Sequence, residues 1–107
     1  MFNLGTIVSN RIQVRVESEL EVLMPRFLAN RQRDVVRIEK HLAEHDFARV
    51  REIGHDMKGV GGGYGFERIS QLGAAIEAAA KNADADYVAS LVTEYRAYLQ
   101  DVDIVYV

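Results

Sequence analysis

The chain has 107 residues, 49% of them hydrophobic, and is long enough to form one domain with one buried core. Sixteen acidic residues against thirteen basic ones give a formal net charge of -3, and a chain without a basic excess is not expected to bind nucleic acid. The absence of cysteine excludes disulfides and thiolate chemistry and fits a reducing compartment, by default the cytoplasm. No secretion signal is recognisable, and no apolar run approaches the roughly 20 residues of a transmembrane helix, so we expect no membrane partner.

Four amphipathic helices are predicted in chain order, because apolar residues recur at intervals of three, four and seven. The first covers about 24–42, with Pro25 in its first turn and with Arg33, Asp34, Arg37 and Lys40 on its polar side. A short helix from Ser18 precedes it, and Ser18 and Glu21 would form a capping box there. The second helix is predicted to be capped by Asp46 and to end near Gly61. The third is predicted to start after Gly65 and to end before 81–84, and the fourth to be capped by Asp84 or Asp86.

Helices of this length joined by short turns can bury their apolar stripes together as an antiparallel four-helix bundle, so the predicted fold class is all-α. The predicted segments are an N-terminal helical and extended segment at 1–17, the bundle at 18–101 and a tail at 102–107. Apolar and polar residues alternate at 12–16 and again at 102–106, which is the period of a β-strand. The two ends could pair if they packed on the bundle or on a second chain, but the last residues are predicted to fray.

The most informative segment is 54–66, which contains His55 and most of the glycines. On the second helix His55 lies about 150° from the centre of the apolar stripe and therefore faces solvent. Its helical neighbours are Arg51, Lys58, Gly59 and Gly62. A neutral imidazole is a nucleophile near neutral pH, Lys58 can pair with phosphoryl oxygens, and the glycines leave room for another protein's active site. Glycine inside a helix costs about 0.5–1 kcal/mol, so helix stability does not select these residues.

This segment resembles the histidine-containing phosphotransfer (HPt) domains of two-component phosphorelays. Their hallmark is His-x-x-Lys-Gly with a further glycine ten residues after the histidine, here His55, Lys58, Gly59 and Gly65. The resemblance covers the chain from about 18 to 99. It implies that Nε2 of His55 carries the phosphoryl group, that Lys58 assists and that Gly59 opens the docking face for receiver domains.

The sequence departs from the family pattern at three places. Gly54 stands where the family usually has alanine, and 61–63 is richer in glycine than usual, from which we expect a looser helix end. Family members often place a glutamine near the phosphohistidine, and this chain has Glu77 at that spacing, with Gln71 as a weaker candidate. A carboxylate at this position would be expected to repel phosphate.

Other features of the sequence favour structural interpretations. His41 and His45 are four residues apart but lack an acidic third metal ligand at a supporting spacing, so no metal site is predicted. The glycine cluster follows a helix rather than a strand and does not match a nucleotide-binding loop. A run of basic residues is interpreted as a solvated helix face that could help to orient an acidic receiver: Arg26, Arg31, Arg33, Arg37 and Lys40. Three tyrosines at helical spacing are interpreted as core and rim packing residues: Tyr87, Tyr95 and Tyr98.

The sequence therefore predicts a phosphocarrier rather than an enzyme with kinase activity. His55 would accept a phosphoryl group from a receiver aspartate, or from a histidine kinase relay, and pass it to another receiver aspartate. Docking would involve Arg51, Asp56, Gly59 and Gly62, and no cofactor is expected apart from Mg²⁺ brought by the receiver. The alternatives are a module that binds and occludes a receiver or kinase without transfer, and a helical module that self-associates through its alternating ends.

Overall fold

A computed structural model describes residues 11–107 of the chain. These residues form two strands and four α-helices, with two 3₁₀ segments between them. In chain order the elements are β1 (Ile12–Val16), a 3₁₀ segment (Ser18–Leu23), α1 (Met24–Ala43), α2 (Phe47–Gly61), a 3₁₀ turn (Gly62–Tyr64), α3 (Glu67–Lys81), α4 (Ala85–Asp101) and β2 (Val102–Tyr106). Within 11–107 no helix is long and apolar enough to cross a membrane. Residues 1–10 of the predicted N-terminal segment 1–17 lie outside the described residues.

The helix boundaries follow from local chemistry. Asp46 caps α2 by accepting a hydrogen bond from the backbone N–H of Arg49, and Asp84 caps α4 by accepting one from Tyr87. Pro25 lies in the first turn of α1, where its missing N–H leaves no helical bond unmade. These predicted starts are confirmed. The predicted capping box is wrong, because the Ser18 hydroxyl donates instead to the carbonyl of Val107, 2.8 Å away.

The core is formed by the apolar stripes of all four helices, as their periodicity predicts. Tyr95 and Phe66 are the largest fully buried side chains. Three residues differ from the prediction: Tyr87 is exposed and Asp34 is buried, and the side chain of Arg31, predicted on a solvated face, is only 13% exposed. Asp34 accepts hydrogen bonds from Arg31 Nε at 2.7 Å and from the Tyr95 hydroxyl at 3.1 Å. Because a buried carboxylate needs such partners, this network ties α1 to α4.

The helices α2 and α3 pack more closely than any other pair, because glycines line their contact. A Cβ added at Gly54 would lie 2.7 Å from the backbone nitrogen of Glu77, and one added at Gly61 would lie 2.7 Å from that of Ser70. A Cβ added at Gly73 would lie 2.5 Å from the backbone nitrogen of Lys58. The backbones of α2 and α3 can approach this closely only where no side chain lies between them.

The two ends of the described chain pair as a parallel ribbon, so the prediction that the last residues fray is wrong. Five residue pairs join β1 to β2, from Ile12 opposite Val102 to Val16 opposite Tyr106. Val14 and Val16 point into the core, and Val102 joins them there. A parallel pair needs a long connection between its strands, and here the four helices provide it. The ribbon is stable because it packs on the helices, as the alternation required.

Candidate functional site

His55 lies on the exposed face of α2, as predicted, and its side chain is 67% exposed. The turns before and after it are part of a regular helix whose opposite face is buried at Ile53, Gly54 and Met57. This placement leaves the imidazole open to a partner while the backbone beneath it is held by the core. An exposed imidazole on a rigid helix is suited to repeated reaction with a second protein.

Glu77 of α3 is the residue that the structure brings closest to the imidazole. Its Oε2 lies 3.0 Å from Nδ1 of His55. An ionised carboxylate can only accept a hydrogen bond, so the proton of the ring must be on Nδ1 in this contact. Nε2 is then left without a proton in the neutral ring. The carboxylate therefore faces Nδ1 and not the nitrogen on which the sequence resemblance places the phosphoryl group.

Electrostatic interactions keep Glu77 ionised. The hydrogen bond from His55 is the largest cause of a pKa below the ordinary value of 4.5, and the charge of Lys58 lowers it further. Lys58 Nζ lies 3.5 Å from Glu77 Oε1, so each carboxylate oxygen has one partner. Lys58 is itself about half exposed, which leaves its ammonium group free to turn towards an incoming anion.

Ser70, a residue that the sequence analysis does not single out, holds the end of α2 on α3. Its hydroxyl donates to the carbonyl oxygen of Lys58 at 2.9 Å and accepts from the N–H of Gly62 at 2.8 Å. The hydroxyl thus bridges the two groups that would otherwise bond directly in a continuing helix. Ser70, Gly73 and Glu77 are spaced by three and four residues on α3, and this spacing could have placed them on the face towards α2.

The remaining predicted docking residues surround His55. Arg51, Asp56, Gly59 and Gly62 are all exposed, and nothing lies within 4 Å of a Cβ added at Gly59. An open groove of about 460 Å³ lies beside the imidazole. It is lined by Ala48, Arg51, Glu52, His55, Asp56 and Glu77. Gln71 takes no part in this groove, and its side-chain oxygen accepts a hydrogen bond from Arg68 on the same helix.

Gly65 ends the glycine-rich turn in the left-handed conformation, with φ of 90°. A Cβ at this position would also lie 2.9 Å from the carbonyl oxygen of Arg15 in β1. The turn is held further by Phe27, whose ring lies 4.6 Å from that of Tyr64 and 5.0 Å from that of Phe66. The chain therefore reverses at a fixed place after α2, which allows α3 to return along it.

The turn between α1 and α2 differs from the prediction in one respect. No acidic third ligand is predicted to join His41 and His45, whereas the ligand atoms of His41, Glu44 and Asp46 lie within 4.8 Å of one another. Glu44 Oε1 lies 3.2 Å from His41 Nδ1, and Asp46 caps α2. These contacts give each group a role in ending one helix and starting the next.

Comparison with known families gives one match. The model of the Hpt domain matches residues 22–104, which is most of the chain. The chain belongs to the Hpt domain family. No match was found among curated proteins or among solved structures.

Membership of the Hpt family confirms the resemblance that the sequence motif indicates. Hpt domains are phosphocarriers rather than kinases, and they interact with receiver domains and histidine kinases. The chain is thus assigned to phosphorelay signalling. The matched segment also includes the start of β2.

Proposed function

We propose that this Hpt domain carries a phosphoryl group on Nε2 of His55 between the aspartates of two receiver domains. The observation that carries the proposal is the hydrogen bond between His55 Nδ1 and Glu77. It favours the tautomer in which Nε2 has a free lone pair and is therefore the nucleophile. The proposal takes the four helices as an antiparallel bundle that presents His55 on one side.

The transfer step is an in-line displacement at phosphorus. The lone pair of His55 Nε2 forms the N–P bond while the P–O bond to the receiver aspartate breaks, and the aspartate leaves as a carboxylate. The ring gains positive charge as the N–P bond forms, and its other proton stays on Nδ1. The reverse displacement, with a second receiver aspartate as nucleophile, returns the lone pair to Nε2.

Glu77 would assist this step by compensating charge. Its carboxylate accepts the Nδ1 hydrogen bond, and this bond strengthens as the ring becomes positive. Repulsion of phosphate, which the sequence analysis expects of a carboxylate here, is limited because Glu77 meets the opposite nitrogen and is paired with Lys58. The carboxylate is thus suited to hold the ring rather than the phosphate.

Lys58 would pair with the transferred phosphoryl oxygens once they arrive. Its hydrogen bond to Glu77 is long, at 3.5 Å, and its side chain is about half exposed. A more highly charged partner can therefore compete with Glu77 for the ammonium group. Mg²⁺ is expected to come with the receiver, because Glu77 is committed to His55 and Lys58. Receiver docking would use the open surface around Arg51, Asp56, Gly59 and Gly62.

Phosphoryl transfer from labelled receiver domains tests the proposal. Receivers are phosphorylated with a small phosphodonor in Mg²⁺ and mixed with the wild type, and label that is acid-labile and base-stable is measured on the chain. We expect label on the wild type and none on His55→Gln. The chain has three histidines, so His41→Gln and His45→Asn are matched controls that should keep the label.

Two results would contradict the proposal. Label that persists on His55→Gln would place the phosphoryl group elsewhere. Receivers that bind the wild type but never transfer to it would instead favour a module that occludes its partner.

A further inference from the structure

The closest contact between α2 and α3 is formed by two glycines that lie directly beneath the candidate site. A Cβ added at Gly54 would lie 2.7 Å from the backbone nitrogen of Glu77 and 2.8 Å from the carbonyl oxygen of Gly73. A Cβ added at Gly73 would lie 2.5 Å from the backbone nitrogen of Lys58 and 2.6 Å from the carbonyl oxygen of Gly54. Any side chain in place of either glycine would therefore require one of the two helices to move.

The backbone atoms in this contact belong to the residues of the site. Gly54 precedes His55 in the chain and touches the backbone of Glu77, while Gly73 touches the backbone of Lys58. The side chain of Glu77 has a limited reach, and it meets His55 Nδ1 at 3.0 Å and Lys58 Nζ at 3.5 Å. Its reach to both partners thus depends on how closely the two helices approach.

We infer that Gly54 and Gly73 are positioning residues, which set the spacing of α2 and α3 at which Glu77 fixes the tautomer of His55. This inference rests on the proposed function for its biological use, but it concerns a contact that can be measured in the isolated protein. It also gives a physical reason for Gly54, where the family usually has alanine. A methyl group at that position would separate the helix that carries His55 from the helix that carries Glu77.

The structure offers two matched controls. Gly61 also lies in the contact between α2 and α3, and a Cβ there would lie 2.7 Å from the backbone nitrogen of Ser70, but this position is almost two turns from His55. Gly61→Ala should therefore disturb the packing of α2 on α3, and displace the Ser70 hydroxyl, while leaving the contact between His55 and Glu77 in place. A Cβ at Gly63 meets nothing within 4 Å, so Gly63→Ala controls for the loss of glycine alone.

The test is the ¹⁵N spectrum of the imidazole rings, recorded with the rings in their neutral form. In the wild type, Gly61→Ala and Gly63→Ala we expect a protonated Nδ1 and an unprotonated Nε2 at His55. In Gly54→Ala the two nitrogen shifts should move towards each other, as they do when two tautomers exchange. The inference is overturned if Gly54→Ala keeps the wild-type shifts, if Gly61→Ala changes them equally, or if the wild type lacks the Nδ1–H signature.

If Gly54→Ala does not fold, Glu77→Asp decides the question on the unchanged backbone. Its carboxylate is one methylene shorter, so at the wild-type helix spacing it should not reach Nδ1, and the tautomer signature should be lost. Retention of the signature by Glu77→Asp would overturn the inference. Failure of the proposed function is a separate result, because it would appear as missing label on His55 whatever the ¹⁵N spectrum shows.

Discussion

At the scale of single residues, Glu77 is the group that most distinguishes this site, since it hydrogen bonds to His55 Nδ1 and pairs with Lys58. A glutamine at this position could still accept the hydrogen bond from the ring but could not compensate positive charge. An alanine could do neither. The rate of transfer should therefore separate the charge of Glu77 from its hydrogen bond.

We predict that transfer from a phosphorylated receiver is fastest in the wild type, slower in Glu77→Gln and slowest in Glu77→Ala. The total loss should be about tenfold, which corresponds to one charge-assisted hydrogen bond in the transition state. Rapid-quench measurement of label on His55 gives the three rates. Equal rates in all three proteins would mean that Glu77 has no role in transfer.

The two carboxylates with shifted pKa values should affect stability in opposite ways as pH changes. Burial raises the pKa of Asp34 in spite of the lowering effect of Arg31, whereas the hydrogen bond from His55 lowers that of Glu77. Where the pKa is raised, the folded state binds more protons than the unfolded state between the unfolded-state pKa and the higher folded-state pKa. Stability therefore falls as pH rises through this interval. A lowered pKa means the reverse, and stability falls as pH decreases below the ordinary value.

Urea unfolding across the acidic range tests these signs. As pH rises, the wild type should lose stability relative to Asp34→Asn and should gain stability relative to Glu77→Gln. The first change should extend above pH 3.8, the ordinary value for Asp, and the second should lie below pH 4.5, the ordinary value for Glu. Curves of wild type and variant that stay parallel would show that the shift at that residue is absent.

At the scale of single elements, α2 combines two kinds of glycine, which lie on different faces of the helix as its periodicity predicts. Gly54 and Gly61 are buried against α3, where an added Cβ would meet backbone atoms at 2.7 Å. Gly59 is exposed, and an added Cβ there would meet nothing within 4 Å. Close packing therefore explains Gly54 and Gly61, whereas Gly59 lowers helix stability and is not required by any packing contact within the fold.

We predict that Gly59→Ala stabilises the protein by about 0.5–1 kcal/mol, because alanine favours the helix and the site has room for a methyl group. The same change should weaken receiver docking, since the methyl group would stand beside His55 on the open surface. Thermal unfolding and the receiver concentration that gives half-maximal transfer measure the two effects. A more stable variant with unchanged docking would show that Gly59 does not belong to the docking surface.

The sequence predicts the helices well because each has both a periodic apolar stripe and a local start signal, such as Asp46 for α2 and Asp84 for α4. It predicts neither the burial of Asp34 nor the contacts of Ser70, because both depend on a partner from another helix. Asp34 meets Tyr95 across 61 positions of the chain. The exposure of His55 follows from its angle on α2 alone, but the tautomer follows from where α3 packs, which local periodicity does not determine.

At the scale of the whole molecule, the parallel ribbon closes the fold by joining the two ends of the described chain. Val16 is 1% exposed, and the backbone ladder extends beyond the strands to a bond between the Ser18 N–H and the Val107 carbonyl at 2.9 Å. The alternation of residues reveals both strands but does not fix whether they pair, since strand pairing depends on the path of the four helices between them. Because β1 also crosses Gly65, the ribbon supports the turn that follows the candidate site.

We predict that removal of residues 102–107 lowers the melting temperature by several degrees or more without melting the four helices at 25 °C. The truncation leaves β1 without its partner strand. It also removes the buried side chain of Val102 and exposes part of Val14 and Val16, which β2 helps to keep in the core. Each apolar side chain that is returned to water costs about 1.5–3 kcal/mol, and a loss of 1 kcal/mol shifts the melting temperature of a domain this size by about 4–8 °C. Val105→Thr is the control, because Val105 is exposed and its replacement should change stability by less than about 0.5 kcal/mol. Calorimetry of the three proteins decides the matter, and a truncated chain with the wild-type melting temperature would show that the ribbon adds nothing to the fold.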